Sequence, residues 1–151
     1  MRILLAPDSF KEAASAEAIA QAMARGIMRG DPQAECRLLP LSDGGEGLTH
    51  ALVHATGGTL HSAETVDAIG RPITAQFGFL GNNHASCILH TAVVELASAS
   101  GLERVSPADR DPMTASTFGT GLLIRAAIDA GADRIVLGLG GSATKSEAKR
   151  S

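Results

Sequence analysis

The sequence contains no tryptophan and no tyrosine, and four phenylalanines bring its aromatic residues to only 3%. A surface that stacks nucleic-acid bases needs several exposed rings, so this composition argues against one. A basic surplus is missing as well. Thirteen Lys and Arg stand against sixteen Asp and Glu, giving a formal net charge of -3 and a pI of about 5.9. That balance speaks against a polyanion-binding role. No apolar run approaches the ~20 residues of a membrane-spanning helix. Met1 leads straight into Arg2-Ile3-Leu4-Leu5-Ala6-Pro7, which is too short for a signal-peptide core and reads as a strand of the mature chain. Cys36 and Cys87 are the two cysteines. A disulfide framework is therefore not expected, and a reduced, cytoplasmic setting is.

What is abundant is glycine, with 17 residues, many of them clustered. Such clusters mark backbone that must turn tightly or come close to a ligand. Hydrophobic residues at 44% and charged residues at 19% give a globular composition. A chain of 151 residues suits one domain, burying roughly 68–70% of its unfolded surface.

The opening pattern alternates. Arg2 to Ala6 is a buried strand that ends at Pro7-Asp8-Ser9. Ser15 can cap a helix whose apolar stripe is Ile19, Ala22, Met23, Ala24 and Ile27, stopped by Gly30-Asp31-Pro32. Glu35 to Leu41 is a second strand, and Leu48 to Ala55 a second helix ending at Gly57-Gly58. Strand, helix, strand, helix favours a parallel sheet with crossover helices. The middle differs. Thr59 to Val66 and Ile73 to Leu80 are two strands joined by a turn at residues 67–72, which points to antiparallel or mixed pairing. Thr91 to Ala97 is a further buried strand or a strand passing into a helix. Ser106 to Ser116 is a long loop, Gly119 to Ala130 a helix, and Arg134 to Leu137 a last strand.

Several loops carry chemistry. Asp8-Ser9-Phe10-Lys11 follows the first strand, where open α/β sheets bind ligands. A carboxylate, a hydroxyl and an ammonium there can orient a polar substrate and its transferring phosphate; the alternative is a helix-capping loop with a solvated lysine. Asp43-Gly44-Gly45-Glu46-Gly47 lies between a strand and a helix. Its amides can face an anion, and Asp43 and Glu46 can hold Mg²⁺. A tight turn with acidic helix-start residues explains it equally well. Gly138 to Thr144 is a Gly-Gly-Ser-Ala-Thr turn, either a phosphate nest or a structural turn. It is neither a dinucleotide fingerprint, for want of a following helix and acidic residue, nor a P-loop, because Thr144 precedes Lys145. Thr117-Phe118-Gly119-Thr120-Gly121 is a helix cap or another hydroxyl-rich loop. His50 and His54 are four apart on a helix but lack the glutamate of a zincin motif. Glu95 stands inside an apolar stretch, as a ligand contact or as half of a structural pair. Together these residues give the profile of an α/β phosphoryl-transfer or nucleotide-binding protein.

The blocks in order resemble a known family. Ile3-Leu4-Leu5-Ala6-Pro7-Asp8-Ser9-Phe10-Lys11-Glu12 is similar to the N-terminus of the bacterial glycerate kinases. So are Pro40 to Gly47, Val94 to Leu102, Arg110-Asp111-Pro112, Thr117 to Gly121 and Gly138 to Thr144. The resemblance runs from Met1 to Thr144, with a somewhat longer stretch around Gly81 to His90. It implies transfer of the γ-phosphoryl of ATP, with Mg²⁺, to a hydroxyl of D-glycerate, giving 2-phosphoglycerate. It also implies a Rossmann-like parallel-sheet lobe, partial here and covering 1–58, followed by the start of an inserted mixed α/β lobe over 59–144.

By the same resemblance, Lys11, Asp8 and Asp43 are the expected catalytic set. Lys11 is a cation for the glycerate carboxylate or phosphate, and Asp8 and Asp43 serve Mg²⁺ or hydroxyl orientation. Ser9, Gly44, Gly45, Glu46, Gly140, Gly141, Ser142 and Thr144 are expected to hold substrate or phosphate oxygens. The pattern breaks after Thr144. Lys145 and Ser146 stand where the family has Asn and Asp, and 145–151 is a polar tail. The expectation is a frameshifted or prematurely ended product, which reading the coding DNA in all frames would decide. The rival expectation is a remnant with no complete cleft, inactive or binding nucleotide weakly.

Overall fold

The computed structural model describes residues 1–10, 13–81 and 90–144. Lys11, Cys87, nearly all of the longer stretch between Gly81 and His90, and the tail 145–151 lie outside the described residues. The fold is mixed α/β, with one parallel sheet and one mixed sheet. The chain forms two compact units, Met1–Asp43 and a second that begins at Gly44. These are packing units of this chain, and the family lobes over 1–58 and 59–144 remain an expectation.

The first unit contains β1 (Arg2–Leu5), α1 (Ala16–Gly30) and β2 (Glu35–Leu38). The two strands pair in parallel, from Arg2 opposite Glu35 to Leu5 opposite Leu38, as a crossover helix requires. The Ser15 hydroxyl caps α1 by accepting from the Ala18 N–H at 3.2 Å. Ala20 and Ala24 are buried and Ile19 and Ile27 half-buried, whereas Ala22 and Met23 of the expected stripe are exposed. At 3.6 residues per turn, the face through 20, 24 and 27 leaves 23 on its flank and 22 on the opposite side. The second strand ends at Leu38, short of the expected Leu41. The chain still runs alongside the first, with Leu39 N–H donating to Leu5 O at 2.8 Å and Leu41 N–H to Pro7 O at 3.0 Å. Pro7 has no N–H to return, so the ladder lapses there.

The second unit contains α2 (Leu48–Thr56), β3 (Thr59–Val66), β4 (Pro72–Phe79), β5 (Thr91–Glu95), the short helix α3 (Ala97–Ser100), α4 (Phe118–Asp129) and β6 (Arg134–Gly138). Its sheet runs in the order β3-β4-β5-β6. The first two pairings are antiparallel and β5 with β6 is parallel, so the expected change from crossover to hairpin pairing is present. Ala75, Phe77, Ala92, Val94, Ala99, Leu123 and Ala127 form the core beneath α4.

The β3–β4 turn is held by Asp67, which is 2% exposed. Its carboxylate accepts from the N–H groups of Ile69 at 3.0 Å and Arg71 at 2.9 Å, and from Arg71 Nε at 2.6 Å. Burial pushes this carboxyl up, but the bonds from Arg71 and Ile69 outweigh it and hold it below the usual range. The two edges of the sheet differ in character. β3 exposes His61, Ser62 and Glu64. β6 exposes Val136 and Leu137 and contains neither Lys nor Pro.

Candidate functional site

In the first unit, parallel pairing puts the carboxyl ends of β1 and β2 at one edge. Asp8 and Ser9 follow the first strand, and Asp43 ends the segment that follows the second. The Leu41–Pro7 bond ties these two segments together. Asp8 and Asp43 are exposed and Ser9 is half-buried. The Asp8 carboxylate accepts from the Ser9 N–H at 2.6 Å.

In the second unit, the two glycine loops meet. Gly140 N–H donates to Gly44 O at 2.9 Å. A Cβ on Gly138 would lie 2.6 Å from both Gly44 O and Leu48 Cδ2, and one on Gly140 would lie 2.6 Å from Gly45 N. Side chains at 138 and 140 would hold the loops apart, so the glycines serve a close backbone approach. The second loop is also stitched to the segment after β5. Leu96 N–H donates to Gly138 O at 2.9 Å, Leu102 N–H to Gly141 O at 2.8 Å, and Ala143 N–H to Ser100 O at 2.9 Å. Ser142 and Thr144 bond each other: their hydroxyls lie 2.8 Å apart, and Thr144 N–H donates to Ser142 Oγ at 2.9 Å. Among the described residues, the N–H groups of Gly141 and Ser142 have no protein acceptor.

Glu95 lies between these loops. It is 4% exposed and pairs with Gly138 in the sheet register. Its carboxylate accepts from Gly47 N–H at 3.3 Å, from Thr49 N–H, and from Ser98 Oγ at 3.4 Å. Gly47 is the N-cap of α2, with φ of 89° and no side chain to cap it. The carboxylate arriving from β5 supplies the missing cap and lies at the positive end of the helix dipole. Of the two roles open to Glu95, the structural one is occupied. Glu46 is exposed. Its carboxyl is raised above the ordinary value, first by a hydrogen bond with Glu103, then by desolvation and by the charges of Glu103 and Glu95, against a lowering by Arg104.

A family model described as the glycerate kinase family matches residues 3–147. The chain belongs to the glycerate kinase family. It is 46% identical over 144 residues to a "Glycerate kinase" of Bacillus subtilis (strain 168), covering 95% of this chain and 36% of that one. It is 41% identical to a "Glycerate 2-kinase" of Escherichia coli (strain K12), with the same coverage. A crystal structure of a Salmonella typhimurium LT2 chain assigned as glycerate kinase 2 superposes with a TM-score of 0.73 at 44% identity, over 95% of this chain and 37% of that one. The chain thus spans about a third of the length of the glycerate kinases that it matches.

Other expectations resolve locally. The Thr117 side chain makes no cap bond; Ser116 Oγ accepts from Phe118 N–H at 3.1 Å instead. The Thr120 hydroxyl pairs with Ser100 Oγ at 2.9 Å inside the core. His50 Nε2 lies 3.2 Å from Gln76 Oε1. Among the described residues, no group of three His, Cys, Asp or Glu could by itself hold a metal ion. Residue-by-residue reading missed Ser98 and Glu103. The Glu95-to-Ser98 spacing of three was the available signal for the first.

Proposed function

We propose that this chain supplies part of an enzyme that moves the γ-phosphoryl of ATP onto a hydroxyl of D-glycerate, giving 2-phosphoglycerate. The observation that carries the reading is the pair of glycine loops bonded at Gly140 and Gly44, in a chain of the glycerate kinase family. In phosphoryl transfer the protein's work is positioning and charge neutralisation. Gly44, Gly45, Gly140, Gly141, Ser142 and Thr144 line the two loops that would receive anionic oxygens, and the amides of Gly141 and Ser142 are the donors with no acceptor in the described structure. Glu46 begins the acidic side of the same loops. Asp8, Ser9 and Asp43 stand at the strand ends of the first unit, where they would orient the hydroxyl or hold Mg²⁺. Lys11 would balance the glycerate carboxylate or phosphate. Bound Mg²⁺ supplies neutralisation of the phosphate charge.

A second reading has these residues bind nucleotide weakly without turnover. One experiment separates the two. The purified 151-residue chain is assayed for ATP-dependent phosphorylation of glycerate, with product position read by NMR, and for nucleotide binding by calorimetry. Phosphorylation at the 2-position supports the first reading, and binding without turnover supports the second. Neither turnover nor binding overturns both.

A further inference from the structure

We infer that Glu95 is a positioning residue: it occupies the anion seat at the start of α2 and, through the contacts between Gly138, Gly140 and Gly44, sets where the Gly141 and Ser142 amides point. The inference rests on reading Gly138–Thr144 as a phosphoryl-facing loop. A carboxylate that is 4% exposed and accepts from two helix-start N–H groups and a hydroxyl has most of its acceptor capacity taken up inside the protein. The N-terminus of α2, which as a bare helix end would attract phosphate, is already filled by the protein's own anion.

The consequence reaches the second loop by a short route. Glu95 fixes Gly47 and Thr49, and the turn before them presents Gly44 O to Gly140 N–H. On the other side, Glu95 is register-paired with Gly138, where the second loop begins, and the next residue, Leu96, donates to Gly138 O. The residue therefore joins both walls, by its carboxylate at Gly47 and Thr49 and by its main-chain register at Gly138. Gly141, with φ of 71°, follows directly, and its amide and that of Ser142 lie one and two residues beyond the Gly140 bond. Ion-pair partners for Glu95 are absent among the described salt bridges, so its charge is met by the helix end and its hydrogen bonds.

The test uses the 151-residue chain, ¹⁵N-labelled, with inorganic phosphate as the probe. Wild type, Glu95→Gln and the control Thr49→Val are compared. Thr49 Oγ1 is buried with no partner among the described residues, so its removal keeps the N–H that Glu95 holds. In Glu95→Gln the resonances of Gly140, Gly141 and Ser142 are expected to move before any phosphate is added, and phosphate affinity to fall about tenfold, as for lost second-layer support of a binding group. Thr49→Val is expected to leave both unchanged. Shifts confined to Gly47–Thr49, with phosphate affinity within about twofold, would overturn the inference and leave Glu95 as a helix cap. If Glu95→Gln does not fold, Glu95→Ala with added acetate replaces it. Acetate that returns the Gly140–Ser142 resonances supports the inference, and acetate that does not overturns it. Displaced resonances in Glu95→Gln together with no phosphate response in wild type would support the positioning role while counting against the phosphoryl-facing reading.

Discussion

Gly140→Ala tests whether backbone contact holds the glycine loops together. The new Cβ would lie 2.5 Å from Gly45 Cα and 2.6 Å from Gly45 N, with Gly44 C at 3.1 Å. Carbon atoms rest about 3.5–4.0 Å apart, so the loops must separate by roughly 1 Å. All three neighbours are backbone atoms, and no side chain can swing aside. Overpacking of this kind costs about 1–3 kcal/mol. The same separation carries the 2.9 Å bond from Gly140 N–H to Gly44 O out of range, for about 1 kcal/mol more. The stiffer unfolded chain returns about 0.4–1 kcal/mol. The expected net loss is about 1–4 kcal/mol. Gly121→Ala is the control within the same unit. It lies in α4 with nothing within 4 Å of its would-be Cβ, and should gain about 0.5–1 kcal/mol from helix propensity. With no Trp or Tyr in the chain, the assay is urea unfolding followed by far-ultraviolet circular dichroism. A Gly140→Ala protein within about 0.5 kcal/mol of the parent, while Gly121→Ala stabilises, would refute the argument for close loop contact.

Asp67→Ala should destabilise the second unit by about 2–4 kcal/mol, below the range for a fully buried pair because Arg71 is 49% exposed. The Asp67 carboxyl is held below its usual range, so its contribution is complete above the unfolded value of about 3.9 and is lost as pH falls through the folded value. Melts of the two proteins should therefore converge on acidification from neutral pH, and a gap that persists in strong acid would contradict the assigned role. Leu123→Ala, at 0% exposure, should cost about 2–5 kcal/mol while keeping a native-like spectrum, as read by the same urea series. Substituting alanine at the position matching Lys11 in a full-length relative should lower the phosphorylation rate by orders of magnitude, and a nearly normal rate in steady-state kinetics would remove Lys11 from the catalytic set.

The elements that could be read in advance were those with local punctuation. Pro7, Ser15, Gly30-Asp31-Pro32 and Gly57 bracket the early strands and helices within a residue or three, because caps and breakers act on their own neighbourhood. The hairpin at 67–72 was legible for the same reason. Met23 was misplaced because an apolar residue one position off the 20–24–27 line still resembles the stripe. The glycine clusters were legible as loops, but what faces them was not. Gly140 meets Gly44, and Glu95 reaches Gly47 and Thr49 across 48 and 46 residues of sequence. Such pairings are set by the sheet register that brings Glu95 opposite Gly138, and register depends on the whole fold. The carboxylate in an apolar run was conspicuous; its partner was a helix start with an N-cap that has no side chain.

The unlike edges of the four-stranded sheet carry a practical consequence. β3 is flanked by polar and charged side chains, the kind of gatekeeping that keeps strands from recruiting neighbours. The opposite border exposes Val136 and Leu137 and has a single charged side chain, Arg134. A lysine at Val136 is therefore expected to reduce association of the purified chain as it is concentrated, read by light scattering.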